Sequence, residues 1–349
     1  DVSKPWLGYP VDPALRLGLD SRNGIAGARA ALTTTVDPNL KTAYTHNWFF
    51  GVQRELLQGL VAEVSYLGSA GHRLYNSANV NRFRGDMLDG RFNGFNPSFS
   101  SIMMIQSSAN SIHHGGTLQL RRAFSRRFTL QGAYTFGKTI DDSDSLVSTT
   151  NYLDIANRRL DRAVAGFDVP QKLAVIGLWD LPVLQGQPRV VRGLLAGWQI
   201  SGFAILQKGT PLTVSHGAAW PRGDFNADNS TGDRPNAPAG GLKTSDWARS
   251  DYLTGIFRVS DFPLPESGAN GNLGRNTYRG PGFAQVDLSL SKKFRVTERA
   301  SAQLRLDAFN AFNRVNLNDP SMDLNSNNFG RSTAMATPRA FQMGLRVQF

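Results

Sequence analysis

The sequence predicts an all-β fold, a partial antiparallel up-and-down transmembrane β-barrel of about nine strands, and three observations carry that prediction. Apolar residues recur at every second position in about nine stretches of the chain, the period that places one set of side chains on each face of a strand. Short turns and long loops alternate between these stretches, as they do in a barrel with short periplasmic turns and long extracellular loops. The chain finishes flush with an alternating strand in which Phe341, Met343, Leu345, Val347 and Phe349 interleave with Gln342, Gly344, Arg346 and Gln348. A soluble domain seldom leaves such a stripe on an open edge. A membrane barrel sets it against lipid and a neighbouring strand.

Taken in order, Asp1 to Thr42 is rich in turn residues, has weak periodicity and reads as a loop. From Ala43 to Glu55, Trp48, Phe50 and Val52 alternate with Asn47, Gly51 and Gln53. Leu60, Ala62, Val64 and Tyr66 follow a short turn, and a long Asn/Ser/Gly-rich segment then runs from Gly68 to about Ser111. Thr117 to Arg122 and Phe128 to Lys138 form the next pair around a basic turn, followed by a loop from Asp141 to about Phe167. Lys172 to Leu181 and Trp198 to Gln207 flank a turn containing Pro182 and Gly186. The longest loop spans about 208–283. Beyond it, Ala284, Val286, Leu288 and Leu290 make the cleanest amphipathic strand, and Ala302, Leu304, Leu306 and Ala308 repeat the pattern. A loop from about Asn313 to Pro338 leads to the terminal strand. Strands of about ten residues suit a tilted membrane crossing, whereas soluble sandwiches average about five or six. If the short turns are periplasmic, parity makes both the first and last strands run inward. Residues 1–42 then begin outside the cell, and 43–349 read as the carboxy-terminal part of a larger barrel.

Composition agrees with a barrel wall. Hydrophobic content of 40% with mean hydropathy −0.30 is low for a helical membrane protein but suits strands apolar on alternate residues. The longest apolar run, Leu194 to Leu206, is interrupted by Gln199 and Ser201 and is too short to span a bilayer as a helix. No signal peptide is visible. The absence of cysteine excludes disulfides and thiolate metal sites. A net charge of +11 raises the question of nucleic acid. Yet Arg121, Arg122, Arg126, Arg127, Arg189, Arg192, Lys292, Lys293, Arg295 and Arg299 gather in or beside three short turns without the interleaved stacking aromatics of a nucleic-acid groove. Such turns would sit against anionic lipid headgroups or simply be solvated.

Five segments, NWFFGVQR (47–54), EVSYLGSAG (63–71), AYTFGKTIDD (133–142), GNLGRNTYRGPGFAQVDLSLSKKF (271–294) and LRLDAFNAFN (304–313), resemble the carboxy-terminal barrel of TonB-dependent outer-membrane receptors, in particular the Oar-like group with a carboxypeptidase-regulatory-like domain. They lie in the family's order and span nearly all the chain beyond Thr42; no plug domain, TonB box or regulatory domain accompanies them. The terminal strand is similar to the signal such barrels present to their assembly machinery, carried here by Gln342, Gly344, Val347 and Phe349. The resemblance implies an outer-membrane location and energy-coupled uptake of a scarce solute, whether a sugar, a metal chelate or a peptide. Outer-membrane lipid, the assembly machinery, a TonB-type coupling protein and a small solute are the implied partners. A structural or adhesive outer-membrane protein and a soluble carbohydrate-binding β-sandwich are the alternatives.

Candidate functional residues fall into three sets. The polar series Gln131, Thr135, Gln285, Asp287, Ser289, Gln303, Arg305 and Asp307 would face the lumen. Arg275 and Arg279, among glycines at 271, 274, 280 and 282, would anchor a re-entrant loop by charge-assisted hydrogen bonds. Asp224, Asn226, Asp228 and Asp233 resemble a calcium loop with oxygens at alternate positions. Asn229 replaces its turn glycine and the twelfth position lacks a glutamate, so a solvated acidic loop is the leading reading. Asp141, Asp142 and Asp144 likewise read as a solvated face, and His113–His114 as neighbours on opposite faces in a strand-end or loop role. Trp48, Tyr66, Tyr134, Phe136, Trp179, Trp198 and Phe294 read as an interfacial girdle. No nucleophile elbow, zinc helix motif or phosphate loop is present, and an enzyme is not expected.

Overall fold

The computed structural model describes residues 30–125, 127–143, 152–182, 186, 188, 191, 196–295 and 300–349. Among the described residues nine antiparallel strands form one continuous sheet, in spatial order the chain order with its neighbours hydrogen-bonded. They are β2 (Tyr44–Leu57), β3 (Leu60–Asn79), β4 (Phe99–Ser125), β5 (Phe128–Asp141), β7 (Gln171–Asp180), β8 (Trp198–Gln207), β11 (Phe283–Arg295), β12 (Ser301–Phe309) and β13 (Ala340–Gln348). Among the described residues no pairing joins β2 to β13, and every residue of both strands is exposed, so the sheet is open.

Four further short strands lie off this path. β1 (Ala30–Val36) pairs parallel with the outer part of β4, and β6 (Ala163–Val164) with the end of β5. β9 (Pro211–Leu212) and β10 (Tyr278–Arg279) make a separate two-stranded ladder. One short helix, α1 (Arg249–Thr254), lies in the longest loop.

The register assigns the faces. Trp48 stands opposite Gly68, Gly68 opposite His114 and His114 opposite Lys138. The same parity carries Phe50, Val64, Leu118, Tyr134, Val175, Ile200, Leu288, Leu306 and Met343 onto one face. No second layer covers it among the described residues, and its large side chains stay exposed: Phe50 is 67%, Met343 74% and Leu345 70% accessible. Lipid is the solvent that makes an uncovered apolar face stable. All seven expected girdle aromatics share this face.

The buried core lies elsewhere. Leu212, Val214, Phe257, Phe262, Leu273, Tyr278, Leu324 and Phe329 form one cluster, all from the segments 208–282 and 310–339 between strands. Its rings meet edge to face, Phe257 on Phe262 at 5.3 Å and Phe262 on Phe329 at 5.7 Å, the geometry the ring quadrupole favours. The long loops are thus a packed unit of their own at one end of the sheet.

Three sequence expectations need correction. The reading of Gly68 to Ser111 as a loop holds only for 80–98; the rest is strand, and β3 and β4 reach 20 and 27 residues. Their outer halves leave the apolar belt and lose the period-two contrast: 68–79 is mostly Gly, Ser, Ala and Asn, and β4 sets Ile102, Met103, Met104 and Ile105 in succession. Part of the 1–42 loop is strand, since Ala30–Val36 adds to the β4 edge beyond the end of β5. Lys292, read with the lipid or solvent of a turn, is 2% exposed, with its ammonium 4.9 Å from the Trp198 ring and 5.1 Å from that of Phe294. Arg126, Arg189, Arg192, Arg299 and Asp144 lie outside the described residues.

Candidate functional site

The polar series occupies the other face of the sheet, and the register puts all eight residues there. Thr135 stands opposite Lys172, and Lys172 opposite Gln207; Ser289 stands opposite Asp307, and Asp307 opposite Gln342. The strand order divides the series. Asp287, Ser289, Arg305 and Asp307 line one depression of about 230 Å³ together with Ile176 and Phe203. Gln285 and Gln303 lie on the same strands above and below it, whereas Gln131 and Thr135 sit on β5, separated from β11 by β7 and β8. The Arg305 Nε donates to both carboxylate oxygens of Asp307 at 2.8 and 3.0 Å. Asp287 accepts from the Gln285 amide at 2.9 Å and from the Asn310 backbone N–H at 2.8 Å. The depression therefore offers fixed charges of both signs beside an apolar floor. Sequence reading missed that floor, because Ile176 and Phe203 lie on strands apolar on both faces.

At the long-loop end, arginines staple loops to strand ends. Arg275 pairs with Asp141 at the tip of β5 and donates from Nε to the Asp161 carbonyl at 2.8 Å. Arg279 donates to the Asp168 carboxylate at 2.7 Å and to the carbonyls of Asp168 and Gly209 at 3.2 Å. Arg234, between them and the 158–161 turn, pairs with Asp161 at 2.6 Å while both side chains are at most 5% exposed. Gly271 and Gly280 let the backbone fit this corner, since a Cβ at either would come within 1.9 Å of the Arg234 carbonyl or the Asp319 carboxylate.

The acidic loop is buried rather than solvated. Asp224, Asn226, Asp228 and Asp233 are all at most 3% exposed. Their oxygens accept backbone N–H groups within the loop: Asp228 and Asn229 donate to Asp224, Ser230 to Asp228, and Asn226 to Asp233. Arg82, from the loop after β3, supplies the cation at 2.5 Å from Asp228. Among the described residues no cluster of three or more His, Asp or Glu is arranged for a metal ion. Burial pushes the Asp228 carboxyl up to about 6 and that of Asp233 up to about 7, with neighbouring carboxylates adding to the rise. Asp141, also read as solvated, is buried through its arginine pair, and Asp142 accepts the Asn110 backbone N–H at 2.7 Å.

His113 and His114 sit within β4 on opposite faces, rather than at its end. His113 Nδ1 shares a hydrogen bond with the Thr139 hydroxyl at 2.8 Å, and His114 Nδ1 with the Tyr66 hydroxyl at 2.7 Å. Trp48 Nε1 donates to the same hydroxyl at 3.3 Å and its indole covers Gly68, where a Cβ would fall 2.1 Å from the ring. On β13, Gln342 and Gly344 lie on the polar face, opposite Asp307 and Arg305, whereas Val347 lies on the apolar face opposite Ala302; Phe349 is 98% exposed.

An uncovered apolar belt, a polar inner face and loops gathered at one end define the wall of an outer-membrane β-barrel. The chain belongs to the outer membrane beta barrel domain family, whose pattern matches residues 8–342, and its location is the outer membrane. No curated protein matches it. Among solved structures it is similar to the outer membrane transporter YddB from Escherichia coli, with 13% identity over 94% of this chain and 35% of that one, at a TM-score of 0.51. The FrpB iron transporter from Neisseria meningitidis (11% identity, 90% and 32% coverage, TM-score 0.44) and the ferripyoverdine receptor of Pseudomonas aeruginosa (12%, 88% and 27%, 0.43) also match. The chain spans about a third of the length of these structures. The match to an outer membrane beta barrel domain stands against a soluble β-sandwich.

Proposed function

We propose that this chain supplies wall strands and capture loops to a TonB-dependent outer-membrane transporter of the Oar-like group, which takes up a scarce solute with energy delivered from the periplasm. In this reading residues 43–349 are the carboxy-terminal part of the barrel, the 208–283 loop is extracellular, and 1–42 approaches from outside. The similarity to YddB, described as an outer membrane transporter, favours transport over adhesion. The observation that carries the proposal is the polar inner-face depression of Asp287, Ser289, Arg305 and Asp307 below a loop unit packed like a domain core. A solute held by the loops would meet fixed, opposite charges on its way inward, and a coupling protein would act through regions other than this wall. The terminal strand, with Val347 and Phe349 toward lipid, would engage the assembly machinery.

The test compares solute depletion from a defined medium by cells with and without the gene, before and after a protonophore. Energy-coupled uptake predicts a solute whose depletion needs both the gene and the proton gradient. It also predicts that combined alanine replacement of Asp287, Arg305 and Asp307 reduces that depletion while the protein still reaches the outer membrane. Gene-dependent uptake indifferent to the protonophore would refute energy coupling.

A further inference from the structure

Beyond the outer ends of β7, β8 and β11, the 245–252 part of the longest loop folds back and encloses a cavity of about 380 Å³. That volume falls in the range of ~300–1,000 Å³ occupied by ligand pockets. None of the polar inner-face series lines it. Gln171 stands opposite Phe136 and so carries the parity of the apolar face, and Lys208 and Gly282 directly follow β8 and precede β11 beside it. Gln171 thus turns its side chain to the lipid side of the wall, at the level where the strands leave the belt.

Its chemistry is selective. Trp247 is half-buried and held edge-on by Tyr252 at 5.8 Å and Phe257 at 5.4 Å. Trp247 lines the cavity, whereas Lys243, 5.9 Å from its ring, does not. The cations present are already matched: Lys208 pairs with Asp246, and Arg279 with Asp168. A free anion therefore finds no unopposed charge. An indole surface beside a carboxamide and an exposed ion pair instead suits a polyhydroxylated ring, whose C–H face lies on the aromatic while adjacent hydroxyls donate to Asp246 and accept from Lys208 or Gln171.

We propose that this cavity is a saccharide subsite on the outer rim, separate from the lumen, that takes neutral sugar rings. The sugars could come from a soluble oligosaccharide or from the headgroup of an outer-leaflet glycolipid, and the proposal is independent of whether the barrel transports. The protein purified from outer membranes as the cell makes it would be titrated with maltotriose and with triacetylchitotriose in micelles, and with short-core lipopolysaccharide in nanodiscs, each read by tryptophan fluorescence. Saturable binding of a soluble trisaccharide assigns the site to free sugar, and saturable binding of the glycolipid alone assigns it to lipid. In either case W247L weakens binding by about tenfold, the loss of an aromatic anchor. Asp246 adopts φ 62°, which glycine accepts without strain, so D246G removes the carboxylate without disturbing the core and should weaken binding too. No saturable binding of any probe overturns the proposal. So does binding that D246G leaves unchanged, even if W247L reduces it, since that pattern reports a loosened loop core.

Discussion

Arg234 and Asp161 are 73 residues apart in the sequence yet form a buried pair at 2.6 Å, with Arg234 also donating to the Leu273 and Leu160 carbonyls. Removing one partner leaves a charge in low dielectric, which costs about 3–5 kcal/mol. D161N should therefore raise hydrogen-exchange rates through 158–161 and 234–273 while strand amides stay protected. Asp233 makes a second residue-scale prediction. Its folded carboxyl stands at about 7 against 3.8 when free, so the folded loop binds a proton that the unfolded loop releases between those values. Stability contributed there is greatest below the free value and declines as pH rises through about 7. Limited proteolysis of the 208–283 loop should accelerate from pH 5 to pH 8, and D233N should flatten that rise; a loop more resistant at pH 8 would have the sign wrong. Such pairings were invisible locally. The sequence marked Arg275, Arg279 and the acidic loop as notable, but partners up to 146 residues away, as for Arg82 and Asp228, follow no spacing rule.

Strands were the legible elements because lipid on one side and polar lumen on the other impose period two over each crossing. Where that contrast ends, so did the signal: the outer half of β3 is rich in Gly, Ser, Ala and Asn, that of β4 carries the unbroken apolar run Ile102 to Ile105, and β1, β6, β9 and β10 are short or edge-added pieces without alternation. The loop core was equally hidden, since Phe257, Phe262 and Phe329 come from turns with no period. The face assignment makes a direct prediction at this scale. Leu118 lies on the apolar face and Thr117 on the polar one, adjacent in β4 and opposite Val64 and Ser65. L118R should destabilise the assembled barrel by about 2–4 kcal/mol, the cost of a cation in the lipid belt, and T117R by much less, measured by urea unfolding in bilayers. Equal effects would contradict the register. At the corner between loop and wall, G271A drives a methyl into the Arg234 carbonyl and should release the loop unit to protease without unfolding the sheet.

On the scale of the molecule, the chain divides into a membrane wall with almost no internal core and a cap of long loops that holds nearly all of it. The wall is stabilised by ladders and by lipid, the cap by aromatic packing and buried arginine–aspartate pairs. Among the described residues the sheet is open between β2 and β13, and in a bilayer the backbone groups of both edges need hydrogen-bonding partners. In the proposed orientation the long-loop cap faces the cell exterior and the short turns face the periplasm. Because the chain has no cysteine, single cysteines report cleanly on side. S267C, exposed in the longest loop, and R127C, exposed at the turn between β4 and β5, would be treated on intact cells with a membrane-impermeant maleimide. That orientation predicts labelling of S267C at once and of R127C only after the outer membrane is permeabilised; labelling of R127C on intact cells with S267C protected would contradict it.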